Sequence, residues 1–80
     1  MELGRPVVLF LSQMGQEAFH AASIPEEGGL ASLFALETDP NGVWVSIRKN
    51  DGEHSFLVRW DCILAVDVPV GGTPNLESAV

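Results

Sequence analysis

The chain has 80 residues, 46% of them hydrophobic, which suits one small domain and is too apolar for a disordered chain. Eleven acidic side chains and four basic ones give a net charge of −7, a balance that repels nucleic acid and anionic membranes. A single cysteine excludes a disulfide framework. The cysteine and the two histidines lack the spacing of metal ligands, so we expect no metal and no cofactor.

The N-terminal part predicts a strand over residues 6–11, followed by a segment that fits two structures. The apolar run in this strand is too short for a secretory signal or a membrane span, which predicts a cytoplasmic protein without membrane contact. Within residues 12–23, some side chains tolerate a helix, namely Gln13, Glu17 and Ala18. Gly15 and the pair Phe19 and Ala21 fit a strand equally well. We favour a second strand there, with a short N-terminal helix as the alternative, and expect a loop at 25–29.

From residue 30 onward the sequence has the pattern of a β-meander. Residues 30–38 and 43–49 predict two strands, and Asp39-Pro40-Asn41-Gly42 predicts the turn between them, closed by a positive φ at Gly42. The second of these strands alternates in the period of a half-buried strand. Its two faces are Val43, Val45 and Ile47 on one side and Trp44, Ser46 and Arg48 on the other.

A second turn, Asn50-Asp51-Gly52-Glu53, leads into a strand over residues 54–59. Only Trp60 and Asp61 separate it from a further apolar strand over residues 62–68, so the chain must bend sharply between the two. This pattern predicts two hairpins that share a central strand.

The same pattern sets the domain limits. We expect a single, mostly β domain over residues 1–70. Residues 71–80 contain too few apolar side chains to pack strongly, which predicts a flexible C-terminal tail.

A family resemblance lies in residues 56–66, which read Phe-Leu-Val-Arg-Trp-Asp-Cys-Ile-Leu-Ala-Val. A strand ending in arginine, a sharp bend and a final apolar strand follow one another there. This order resembles the second signature of Sm-like proteins, in which a strand ending in Ile-Arg-Gly turns into the last strand. The strands at 30–38 and 43–49 are similar to the bent middle strands of that fold, so the resemblance covers residues 30–69.

The resemblance implies a small, strongly bent, five-stranded antiparallel barrel that serves as a non-enzymatic interaction and assembly module. Sm-like proteins form rings of five to eight subunits, in which the fourth strand of one subunit pairs with the fifth strand of the next. By resemblance, this chain is expected to form such a homo-oligomer through its strands at 54–59 and 62–68. The candidate interface residues are Phe56, Val58, Ile63 and Ala65.

Two other functions are alternatives. Single-stranded RNA binding is one, because aromatic rings stack on bases and cations pair with phosphates, although the acidic charge disfavours it. The other is a small ligand-binding protein or enzyme with His20 or His54 in a pocket between subunits. No nucleophile, acid or base accompanies either histidine at a known spacing, so we expect no catalytic residue. The candidate RNA-binding residues are Arg48, Lys49, Arg59 and Trp60, with Trp44 beside them.

Overall fold

The computed structural model describes residues 1–70, so the tail predicted at 71–80 lies outside the described residues. The protein is mostly β, with five antiparallel strands in one sheet and one short α-helix. In chain order the elements are β1 (Glu2–Leu11), α1 (Gln13–Ala21), β2 (Leu30–Asp39), β3 (Gly42–Lys49), β4 (Gly52–Arg59), a 3₁₀ helix (Trp60–Cys62) and β5 (Ile63–Asp67).

The strands are ordered β4-β3-β2-β1-β5 across the sheet, and each neighbouring pair is antiparallel. Two hairpins join β2, β3 and β4, whereas β5 returns across the fold to pair with β1. The sheet is not closed, so the predicted barrel is not confirmed: in residues 1–70, β4 and β5 form its two edges. Register shifts interrupt three of the ladders, and such bulges bend and twist a sheet.

One face of the sheet carries the core. The alternation predicted in β3 is confirmed, because Val43 and Val45 are fully buried and Ile47 is 6% exposed. Phe19 of α1 packs into the same core. Burial of each such large apolar side chain contributes roughly 1.5–3 kcal/mol to the free energy of unfolding. The core residues are Val7, Leu9, Leu11, Phe19, Ile24, Ala31, Ala35, Val43, Val45, Ile47, Val58 and Cys62.

The strand favoured within residues 12–23 is wrong and the short helix given as its alternative is confirmed, because Gln13–Ala21 form the helix α1. Ser12 caps this helix: its Oγ accepts a hydrogen bond from the Gly15 N–H at 3.1 Å. The Ser12 N–H and hydroxyl also donate to the carbonyls of Cys62 and Asp61, at 2.9 and 3.0 Å, which fastens α1 to the 3₁₀ helix. No helix in residues 1–70 is long and apolar enough to cross a membrane.

Both predicted turns are present, but Gly42 does not have the role predicted for it. Its φ is not positive, so that prediction is wrong. Glycine is needed at this position because a Cβ would lie 2.1 Å from the Val58 carbonyl oxygen on β4. In the second turn, Gly52 does have a positive φ, +125°.

Candidate functional site

The two edge strands carry the four candidate interface residues. Phe56 and Val58 lie on β4, and Ile63 and Ala65 lie on β5, at the opposite edge of the same sheet. Val58 is buried and packs in the core of its own chain, while Ala65 is exposed. The backbone N–H and C=O groups on the outer side of each edge have no neighbouring strand among residues 1–70.

On the β5 edge, one large apolar side chain is left in solvent. Leu64 is 73% exposed. The β1–β5 ladder pairs Phe10 with Ala65 and Leu11 with Ile63, so Leu64 is the extra residue of a β-bulge. A bulge redirects a side chain from the regular alternation, and here it presents an aliphatic group at the edge of the sheet.

On the β4 edge, an apolar crevice separates α1 from the strand. Its volume is about 170 Å³. Four consecutive β4 residues, Phe56 to Arg59, line one side, so the crevice runs along the strand edge. The other side is formed by Ala18, Phe19, Ala22 and Ile24 together with Cys62. Sequence patterning did not reveal this crevice, because it depends on a helix that was predicted as a strand.

The four candidate RNA-binding residues do not form one patch in a single chain. Arg48 and Lys49 lie at one end of the β3–β4 hairpin, where Lys49 pairs with Gly52, and Arg59 lies at the other end opposite Gly42. At about 3.3 Å per residue, the seven steps from one end of β4 to the other span roughly 23 Å. Trp60 follows Arg59, so the candidates form two pairs.

Three of these residues already have partners within the chain. The Lys49 ammonium donates to the Ala22 carbonyl at 3.0 Å and lies 5.6 Å from the centre of the Phe56 ring. The indole N–H of Trp60 donates to the Asp39 carbonyl at 3.0 Å. Arg59 Nε lies 3.7 Å from the Asp61 carboxylate, in a solvent-exposed pair that contributes little to stability.

The side chain of Asp39 organises the turn between β2 and β3. Its Oδ1 accepts the backbone N–H groups of Asn41 and Gly42, at 2.8 and 3.1 Å, and its Oδ2 accepts the indole N–H of Trp44 at 3.0 Å. These hydrogen bonds lower the pKa of Asp39 below its ordinary value, and the bond from Trp44 has the largest effect. Asp39 thus holds both tryptophans, Trp44 through its carboxylate and Trp60 through its carbonyl.

The two histidines and the cysteine lie on three different elements, α1, β4 and the 3₁₀ helix. His54 Nε2 is 2.7 Å from Asp51 Oδ1 in the second turn, and this hydrogen bond lowers the pKa of Asp51. His20 is on α1, and burial raises the pKa of the Cys62 thiol, which disfavours the reactive thiolate. Within residues 1–70, no group of three or more His, Cys, Asp or Glu side chains is placed to hold a metal ion.

A second groove lies on the face of the sheet opposite the core. It has a volume of about 420 Å³ and is lined by Pro6, Phe34, Ser46 and Arg48, among others. Phe34 is 43% exposed there, next to Pro6 on β1 and Ser46 on β3. The strand alternation predicted this outer position for Ser46 and Arg48, but not the groove.

No protein-family model, no curated protein and no solved structure matches the chain. The described residues define the class of the protein only as mostly β: one open five-stranded antiparallel sheet with one short helix.

Proposed function

We propose that this protein is a non-enzymatic, Sm-like interaction module that assembles into a homo-oligomeric ring of five to eight copies. In this proposal β4 of one copy pairs with β5 of the next. The observation that carries it is the strand order β4-β3-β2-β1-β5, which puts these two strands at opposite edges of one sheet. An open edge on each side lets every copy bind two neighbours.

The physical reason for assembly lies in the two edges. Unpaired N–H and C=O groups along an edge strand are a template for pairing with another chain. A contact between two different edges is heterologous, and successive heterologous contacts close into a ring when the rotation between copies permits. The small core adds a second reason, because a domain of this size gains stability when further apolar surface is buried between copies.

RNA binding and a ligand or catalytic pocket have weaker support. The candidate RNA-binding residues form two separated pairs in a single chain, and the net charge is −7. His20 and His54 lie on different elements, and His54 already contacts Asp51. Assembly through the sheet edges is therefore the function that we propose.

The first experiment measures the absolute mass of the protein in solution by size-exclusion chromatography with light scattering, at two protein concentrations. We expect a stable mass of five to eight chains. In the variant Ala65→Lys, a charged side chain on the exposed β5 edge should oppose pairing and shift the protein to the monomer.

The matched control is Ser32→Lys, which adds the same charge at an exposed position on the central strand β2. The control should keep the mass of the unmodified protein. A monomeric unmodified protein at both concentrations would refute the proposed assembly, and equal effects of the two lysines would refute the role of the β5 edge.

A further inference from the structure

The crevice on the β4 edge and the exposed leucine on the β5 edge are complementary in size and chemistry. An apolar cavity of about 150 Å³ accommodates a group as large as benzene. The crevice between α1 and β4 has about 170 Å³, so one leucine side chain fits it. Leu64, at 73% exposure, is the large apolar side chain of β5 that its own chain leaves in solvent.

The faces of the two strands limit how they can pair. On β4, Phe56 and Val58 lie on the core face, opposite Val45 and Val43. On β5, Val66 lies on the core face opposite the buried Leu9, and its neighbours Ala65 and Asp67 lie on the outer face. A shift of one residue moves every side chain to the other face. Val66 must therefore lie opposite residue 54, 56 or 58 of β4.

Charge and strand length decide among these three registers, if the pairing is antiparallel like every other pair in the sheet. With Val66 opposite His54, Asp67 lies opposite Glu53, and two like charges repel. With Val66 opposite Val58, Leu64 lies beyond the end of β4, at the 3₁₀ helix, so part of β5 has no strand to pair with. Both registers are therefore unfavourable.

The third register puts Val66 opposite Phe56, which pairs two apolar side chains on the core face. On the outer face, Ala65 then lies opposite the half-buried Leu57. Leu64 lies opposite Val58, one of the residues that line the crevice.

We propose that β5 of one copy pairs antiparallel with β4 of the next, with Leu64 opposite Val58, and that the Leu64 side chain fills the crevice between α1 and β4. The occupant of the crevice is thus a second copy of this chain. This inference rests on the proposed ring assembly and adds to it the register and the side chain that locks the interface.

The test uses one variant on each side of the junction. Leu64→Lys removes the inserted side chain, and Ala18→Phe fills the crevice from an exposed position on α1. Each variant alone should assemble only at protein concentrations about tenfold or more above those of the unmodified protein, since burial of one leucine is lost. Met14→Lys and Met14→Phe are the controls, because Met14 is 54% exposed on α1 and does not line the crevice.

Mixing the two variants gives the decisive result. The Leu64→Lys chain keeps an intact crevice, and the Ala18→Phe chain keeps its leucine, so one junction between them is complete. The mixture should form dimers of one chain of each kind that do not extend further, as measured by light scattering and native mass spectrometry. A mixture that stays monomeric would overturn the insertion.

The register has its own readout, which does not depend on how tightly the variants assemble. Leu57→Cys and Ala65→Cys, made in separate chains and mixed, should form a disulfide between chains, because directly opposed residues lie about 4.5–5.5 Å apart at Cβ. Glu53→Cys mixed with Ala65→Cys is the control, since residue 53 is four positions further along β4. Equal disulfide yields in the two mixtures would overturn the register.

Failure of this inference and failure of the proposed function give different results. If the unmodified protein is monomeric, both are refuted. If the unmodified protein forms the ring while Leu64→Lys and Ala18→Phe assemble equally well, the ring stands and the insertion of Leu64 is refuted.

Discussion

Asp39 connects three separate parts of the chain. Its carboxylate accepts two backbone N–H groups of the turn and the indole N–H of Trp44, while its carbonyl accepts the indole N–H of Trp60. The backbone N–H of Trp60 donates to the Asn41 carbonyl at 3.1 Å, so two hydrogen bonds join the turn to the 3₁₀ helix. The turn between β2 and β3 therefore also sets the position of the bend before β5.

We predict that Asp39→Asn makes the protein less stable and makes its stability depend less on pH in the acid range. Asparagine can still accept the turn N–H groups through its oxygen, but its NH₂ group then faces the indole N–H of Trp44, and two donors cannot bond. The pKa of Asp39 is lowered in the folded protein, so the Asp39 carboxylate stabilises the fold. This stabilisation is fully present above the ordinary aspartate pKa of about 3.9 and is lost as the pH falls through the folded-state pKa.

Urea unfolding between about pH 2 and pH 6, followed by tryptophan fluorescence, measures this effect. Below about pH 4, the urea concentration at the unfolding midpoint should decrease more steeply for the unmodified protein than for Asp39→Asn. Glu37→Gln, on the same strand, is the control, because the Glu37 carboxylate accepts no side-chain hydrogen bond within residues 1–70. Parallel pH profiles for Asp39→Asn and the unmodified protein would contradict the role of Asp39.

At the residue scale, the sequence predicts burial better than it predicts contacts. The alternation of Val43, Val45 and Ile47 placed them correctly in the core, because a strand has a strict period of two. Asp39 and Trp60 are 21 positions apart, and nothing in their local sequence indicates that they are bonded. Sequence alone thus located the turn correctly but did not identify the residue that organises it.

Helix α1 is the element that sequence patterning assigned wrongly, and Gly15 explains why. Glycine has a low helix propensity, so its presence favoured a strand. In the structure Gly15 is buried where α1 meets the 3₁₀ helix, and a Cβ there would lie 2.2 Å from the Cys62 carbonyl oxygen. The glycine serves a close contact with a segment 47 positions away, and local propensity cannot report such a contact.

We predict that Gly15→Ala destabilises the protein, although alanine favours an isolated helix by about 1 kcal/mol. The methyl group would push α1 away from the Cys62 carbonyl and strain the hydrogen bonds that Ser12 makes to the 3₁₀ helix. Overpacking of this kind costs about 1–3 kcal/mol in the free energy of unfolding, measured by urea denaturation. The control Met14→Ala, at an exposed position on the same helix, should leave stability nearly unchanged. A more stable Gly15→Ala protein would show that the contact is loose.

At the scale of the whole molecule, the two hairpins could be predicted from the sequence pattern, but the complete strand order could not. Two tight turns place β2, β3 and β4 side by side, since short loops join adjacent antiparallel strands. The pairing of β1 with β5 joins segments more than 50 positions apart, for example Leu9 with Val66, and leaves no local signal. The same applies to the candidate site, because the β1–β5 pairing decides which strands form the edges of the sheet, and the local sequence does not indicate that pairing.

The charge of the whole molecule acts against assembly and gives the last prediction. Each chain carries a net charge of −7, so copies in a ring repel one another, while the proposed junction of Leu64, Val66 and Phe56 is apolar. Salt screens this repulsion: the Debye length falls from about 30 Å at 0.01 M to about 8 Å at 0.15 M. Assembly should therefore become tighter as the salt concentration rises over this range, which sedimentation equilibrium can measure.

A charge variant separates this effect from other actions of salt. In the double variant Glu2→Lys with Glu27→Lys, each substitution changes the charge by two, so the net charge goes from −7 to −3 without altering β4 or β5. The dependence of assembly on salt should be weaker in this variant, because less repulsion remains to be screened. Assembly that loosens with salt would instead indicate an interface dominated by ion pairs, for which Arg59 and Asp67 at the strand edges are the available groups. That outcome would contradict an apolar junction built on Leu64.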